Sequence, residues 1–190
     1  MHYEVDRRRL SLLLGAAIAT AIGMPCGTAA AAEPHGGPFE LIGTDGQPFR
    51  SERLAGRPFA IFFGFTNCPE VCPTTLNDLM GVLERLGPDA DRIGFLFVSV
   101  DAENDTPAAL KEYLSHFDKR VIGLTGHPAE IAAVASRFGA YYERVPTKHG
   151  HTYHHSTSMY LVGGDGRRAG EIAYQEDADS QVRKFKALMK

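Results

Sequence analysis

Two stretches of this chain are apolar almost without interruption. Phe59 to Phe65 is the first and Ile93 to Val100, "IGFLFVSV", is the second. Short runs of that kind suit strands buried on both faces. Between them Leu76, Leu79, Met80, Leu83 and Leu86 recur at helical spacing, and Gly87 can end that helix. Thr106-Pro107 supplies an N-cap followed by a proline at the first helical position, and Leu110, Tyr113, Leu114 and Phe117 continue the helix. Val121 to Leu124 predicts a short strand. Pro128 to Phe138 predicts a helix with Ile131, Val134 and Phe138 inward.

Hairpin signals flank this middle. "FELIGTDGQPF", residues 39 to 49, turns at Asp45-Gly46. Thr157 to Val162 and Ala169 to Tyr174 flank "GGDGRR". Tyr141 to Val145 reads as extended, and Pro146 to His155 as a polar, His-rich surface loop. A helix from Asp177 to Lys190, with Val182, Phe185, Leu188 and Met189 on one side, closes the chain. There are no internal repeats. Strands alternating with helices predict an α/β fold: a central mixed sheet flanked by helices, with an N-terminal hairpin extension. Sites in such sheets lie at the carboxyl ends of strands, and Cys68 falls just past the end of the first central strand.

Composition changes this picture little. The 190 residues are 44% apolar and 23% charged, enough for one sizeable core. The net charge of −3 gives no footprint for nucleic acid. The N-terminus does change it. Arg7, Arg8 and Arg9 precede an apolar run from Leu10 to Met24, and Ala29 to Ala32 supply small residues before Glu33. That is the layout of an export signal, with cleavage after Ala32. "RRRLSLLLG" also has a weak twin-arginine character. The competing reading is an uncleaved membrane anchor, since Leu10 to Ala32 is long enough to cross a bilayer. Residues 1–32 are therefore expected to be a signal or tether, 33–38 a flexible lead-in, and 39–190 a domain in the periplasm.

Export bears on the cysteines. Cys26 belongs to the leader, so the domain keeps only Cys68 and Cys72, in "FFGFTNCPEVCPTTL". In an oxidising compartment such a pair is oxidised unless it is kept reduced or metallated. A structural bridge closing a loop of about five residues gives only about 2 kcal/mol, which a domain of this size does not need. Pro73 fits a first helical turn, and the residue before a proline avoids helical geometry. These rules predict Cys72 as the N-cap, with its thiolate favoured by the helix dipole and with the lower pKa of the two. A redox pair and a metal site both remain open. His149, His151, His154 and His155 crowd into "HGHTYHH", and His155 directly precedes the strand "STSMYLV". Two thiolates and an imidazole suit Cu(I), and the nitrogen also suits Cu(II). Zinc competes, with His151 or His154 as a fourth ligand.

"GFTNCPEVCPTTL", "SVDAENDTPAAL" and "HHSTSMYLVGGDG" together resemble the Sco/SenC family of copper proteins. The resemblance spans most of residues 38 to 190. It implies a thioredoxin-like fold and a role in assembling the binuclear copper centre of cytochrome c oxidase. The implied ligands for one copper ion are Cys68, Cys72 and His155, and the implied partner is a copper-receiving oxidase subunit. A thiol reductant would keep the cysteines competent. The family's usual aspartate before the histidine is His154 here, Phe65 stands for a common tyrosine, Glu70 for a common aspartate, and Ala102 and Asn104 replace the usual proline and arginine. No proline directly precedes the strand at Thr157, as it does in thiol reductases of the thioredoxin group. The metallochaperone reading leads on this evidence. A thiol-disulfide oxidoreductase with Cys68 and Cys72 as its redox pair is the alternative, and a peroxide- or copper-sensing thiol protein is the third reading.

Overall fold

The structure, a computed structural model, describes residues 36–190. The expected export signal or anchor, residues 1–32, and Cys26 lie outside the described residues. No helix among the described residues is long and apolar enough to cross a membrane.

Among the described residues nine strands and four α-helices follow one another: β1 Glu40–Gly43, β2 Pro48–Arg50, β3 Phe59–Gly64, α1 Val71–Leu86, β4 Gly94–Ser99, α2 Pro107–Leu114, β5 Val121–Thr125, α3 Pro128–Phe138, β6 Tyr142–Thr147, β7 Gly150–His155, β8 Met159–Val162, β9 Arg168–Ile172 and α4 Ala178–Leu188. Seven strands form one sheet in the order β2-β1-β5-β4-β3-β8-β9. β3, β4 and β5 run parallel at its centre. The β1–β2 hairpin joins antiparallel to β5, and β8 and β9 close the other edge antiparallel. This is the thioredoxin-like mixed sheet the sequence implies, with the expected hairpin extension at its N-terminal side.

The apolar runs explain the centre. Every residue of β3 and β4 is buried. In-register pairing puts Ile61, Phe63, Leu96 and Val98 on one face and Phe62, Gly64, Phe97 and Ser99 on the other. Phe138 of α3 packs its ring edge against Phe59 and meets Phe63 on the first face. Phe185 of α4 meets Phe95 on the second, and Tyr113 of α2 meets Phe97. Helix signals hold at α2, where the Thr106 side chain accepts from Ala109 N–H, and at α3, which ends on a left-handed Gly139. The described end of the lead-in is tied down: Gly36 N–H donates to the Arg137 carbonyl at 3.1 Å, and Arg137 donates to the Pro38 carbonyl.

One expectation fails here. Residues 146 to 155 are not a surface loop. Gly150–His155 is strand β7, paired antiparallel with β6 as a separate two-stranded sheet, with His155 opposite Tyr142 and His154 opposite Glu143. Its residues are polar or aromatic, so the apolar alternation that announces a strand is missing. Thr152 and Tyr153 still favour extended backbone. Pro146 is tolerated because β6 pairs on one side only.

Candidate metal centre

β3 delivers the chain to the carboxyl end of the parallel sheet, where it turns through Phe65 to Glu70 before α1. Cys68 N–H donates to the Phe65 carbonyl at 3.2 Å and closes that turn. Helix α1 begins at Val71, with Glu70 as its N-cap. The expectation that Cys72 would be the N-cap is therefore corrected: Cys72 is the second helical residue and Pro73 the third. The first-turn N–H groups have no helical partner, so a proline at the third position removes no helical hydrogen bond.

The consequence is chemical. The free N–H of Cys72 points at the other sulfur, 3.4 Å from Cys68 Sγ. The thiolate favoured at this helix terminus is that of Cys68, not Cys72. The hydrogen bond from the Cys72 thiol holds the Cys68 thiol down at about 4, helped by backbone N–H groups and opposed by burial. The same hydrogen bond, with burial, pushes the Cys72 thiol up. Cys72 keeps the proton that the pair shares. The expectation that Cys72 has the lower thiol pKa is therefore corrected: the helix terminus favours the Cys68 thiolate.

Both cysteines are free thiols, Cys72 fully buried and Cys68 9% exposed. Space for the deeper sulfur comes from Gly64: a Cβ there would lie 2.5 Å from Cys72 Sγ and 3.1 Å from the Phe97 ring. His155, at the end of β7, faces the pair. Its Nε2 lies 3.8 Å from Cys68 Sγ and 3.7 Å from Cys72 Sγ. Its Nδ1 lies 2.8 Å from the Ser156 carbonyl, which can only accept. That bond places the ring proton on Nδ1 and leaves the Nε2 lone pair facing the sulfurs. Phe62 and Phe65 present ring edges to the imidazole and make an apolar wall.

The three donor atoms lie within 4.8 Å of one another, and among the described residues they form the one cluster of three or more such groups. The chemistry fits a soft cation: two sulfurs and a neutral imidazole nitrogen, with no carboxylate among them. His154, on the opposite face of β7, is exposed. His151 is turned inward against Asp101 rather than solvated, and both lie outside the cluster. Sequence reasoning missed Gly64, Thr66, Asp101, Asp105 and Tyr113. The hydroxyl of Tyr113 is buried without a hydrogen-bond partner, and burial followed by the charge of the two sulfurs and Asp105 pushes its ionisation up. A signal did exist for the aspartates, because "SVDAENDTP" follows an apolar run with polar residues, of which Ser99, Asp101 and Asp105 are buried.

Fold and site together define a class: a thioredoxin-like domain with a two-thiol, one-imidazole donor cluster at the carboxyl ends of its parallel strands. The SCO1/SenC family profile matches residues 27–190, and the chain belongs to that family. A SCO2-like protein of Rickettsia conorii is 41% identical over 138 residues, 70% of this chain and 66% of the relative's length. The solved structure of Bradyrhizobium japonicum ScoI with copper bound shares 42% identity at a TM-score of 0.75, covering 80% of this chain and 98% of that one. BsSco, described as a Sco-family cytochrome c oxidase assembly protein with a disulfide switch, shares 27% identity at a TM-score of 0.68, over 82% of this chain and 94% of that one.

Proposed function

We propose that this domain binds one copper ion through Cys68 Sγ, Cys72 Sγ and His155 Nε2 and delivers it during assembly of the binuclear copper centre of a haem–copper oxidase. The observation that carries this is the convergence of three soft donors on one point, with the imidazole tautomer already set. A structural zinc site would want four closed ligands, and no fourth histidine, cysteine or carboxylate joins the cluster among the described residues. A copper-bound relative with 42% identity supports the same choice.

Loading must displace the proton that Cys72 holds, since a thiol ligates as the thiolate. Copper affinity should therefore rise with pH as that proton becomes easier to remove. The cysteines must also be reduced, which couples loading to a thiol reductant. In this reading residues 1–32 export the domain to the periplasm, cleaved or retained as a tether, and the partner is a copper-receiving oxidase subunit.

The second reading is a thiol-disulfide oxidoreductase acting on an oxidase subunit. One observation favours it: a close dithiol with one depressed thiol is also the equipment of exchange chemistry. Anaerobic copper titration of the reduced chain, with metal analysis, separates the two. Delivery predicts about one copper per chain with a thiolate-to-copper band for Cu(II). Tight zinc binding with negligible copper binding would overturn it.

A further inference from the structure

The short segment after β4 holds two carboxylates that solvent barely reaches. Asp101 and Asp105 are each 1% exposed. A carboxylate in such a place is costly unless its oxygens are hydrogen-bonded, and these two bond toward different sides of the donor cluster.

Asp105 reaches the cysteine side. It accepts from Thr66 twice, from the N–H at 2.9 Å and from the hydroxyl at 2.5 Å, and Ser99 donates its hydroxyl to the same carboxylate. Thr66 sits two residues ahead of Cys68, in the turn that Cys68 N–H closes.

Asp101 reaches the histidine side. Its Oδ1 lies 3.2 Å from His151 Nε2, and its Oδ2 accepts from the Asn104 amide at 2.8 Å. Arg144 lies 2.9 Å from His151 Nδ1. Arginine only donates, so Nδ1 accepts and the proton of the neutral ring sits on Nε2, directed at Asp101. His151 shares one face of β7 with Tyr153 and His155. Between the two aspartates the backbone is stiff, because Asp105 N–H donates to the Asp101 carbonyl at 2.8 Å and Asn104 N–H to the same oxygen at 3.2 Å.

We propose that Asp101–Asp105 is a two-armed bracket: Asp105, through Thr66, positions the cysteine turn, and Asp101, through His151, positions the hairpin that carries His155. Neither carboxylate is within hydrogen-bonding distance of a donor atom of the cluster, so both are positioning residues. The bracket fixes the imidazole relative to the sulfurs although the cysteines stand at the start of α1 and the histidine on the separate β6–β7 ribbon. If the aspartates were only satisfied buried groups, losing either would lower stability and disturb both halves alike. A bracket predicts a split.

The experiment compares Asp105→Asn and Thr66→Val with Asp101→Asn and His151→Leu in the purified full chain, with thermal melting as a folding control. The first readout needs no metal: the dithiol–disulfide midpoint, by equilibration with dithiothreitol and its cyclic disulfide. Asp105→Asn and Thr66→Val should make the disulfide about tenfold less favourable, an upward shift of about 30 mV for this two-electron couple. Thr66→Ser keeps the hydroxyl and should stay near the parent value. Asp101→Asn and His151→Leu should leave the midpoint in place.

The second readout rests on the copper-binding reading. In anaerobic Cu(II) titration, Asp101→Asn and His151→Leu should bind about 10- to 100-fold more weakly, the usual cost of losing a group that orients a ligand, with a shifted thiolate-to-copper band. His151→Gln, whose amide still donates, should recover part of that loss. If Asp101→Asn moves the midpoint as far as Asp105→Asn does, or if the variants lower the melting temperature and change neither readout, the bracket is wrong. If the parent chain takes up no copper, the copper reading fails and the Asp101 arm fails with it, while the midpoint still judges the Asp105 arm.

Discussion

Cys72 and His155 bring their donor atoms to 3.7 Å, yet quite different material holds them. Cys72 stands on the first turn of a sixteen-residue helix whose inward face is core, beside a strand buried along its whole length. His155 stands at the end of a two-stranded ribbon that shares no ladder with the main sheet. What holds the ribbon is a set of side chains: Tyr153 on Phe65 at 5.4 Å, His151 on Asp101, and Arg144 on Glu103 at 3.3 Å. At its base Tyr141 N–H donates to the Ser156 hydroxyl and Ser156 N–H to the Tyr141 carbonyl, both at 2.8 Å. The Cys72 sulfur is fixed by close packing. The imidazole is fixed by a handful of contacts that can be weakened one at a time. A site built so can keep its thiol geometry while its third donor is adjusted.

The strongest break should come at Gly64. Gly64→Ala puts a methyl group into the Cys72 sulfur and the Phe97 ring, with buried neighbours on every side. Overpacking of this kind should cost about 3 kcal/mol, read by denaturant unfolding, and should displace the deeper sulfur as well. Unchanged stability with normal copper uptake would show that the thiol side yields as easily as the ribbon.

Next comes His155→Ala. Removing a direct donor should weaken copper by more than about 100-fold, or about 2.8 kcal/mol, while the two thiols still form their disulfide in an Ellman assay. Retained copper affinity and oxidase assembly in this variant, with assembly abolished by Cys68→Ser, would mean that the protein works by thiol exchange.

A smaller effect is expected at Tyr153→Ala. Loss of the aromatic contact to Phe65 should cost about 1 kcal/mol. Amide exchange should place that loss in β7, with β3 still protected to the level of global unfolding. Equal loss of protection in both strands would erase the distinction between the two halves.

The smallest effect should be at His154→Ala, which changes an exposed side chain on the outer face of the ribbon. Stability should stay within about 0.5 kcal/mol and copper affinity should be unchanged. A clear loss of copper would bring His154 into the ligand set and contradict the alternation of faces along β7.

The same contrast decides what the sequence could reveal. β3, β4, α2 and α3 are legible because their burial is written in apolar runs, helical spacing and caps. The proximity of Cys68 to Cys72 is legible because it is local. β7 is not, because a ribbon outside the main sheet needs no apolar alternation and its inward residues are histidine and tyrosine. The start of α1 is misjudged because two proline rules compete at Cys72: the proline that follows suits a first turn, while the residue before a proline resists helix. Only the fold shows that the helix begins at Val71. The partners of Asp101 and Asp105 are distant in the chain, 50 residues to His151 and 39 to Thr66, so no local pattern announces them.

The unequal depth of the two sulfurs carries one more consequence. Cys72 has no surface, and what little the pair presents belongs to Cys68. To a thiol-seeking visitor from solvent the pair is a corridor with a single door. An electrophile or an incoming thiolate must address Cys68 first, and Cys72 can only follow. The order of bond making is thereby written into the fold, and the chain chooses which of two chemically identical groups answers.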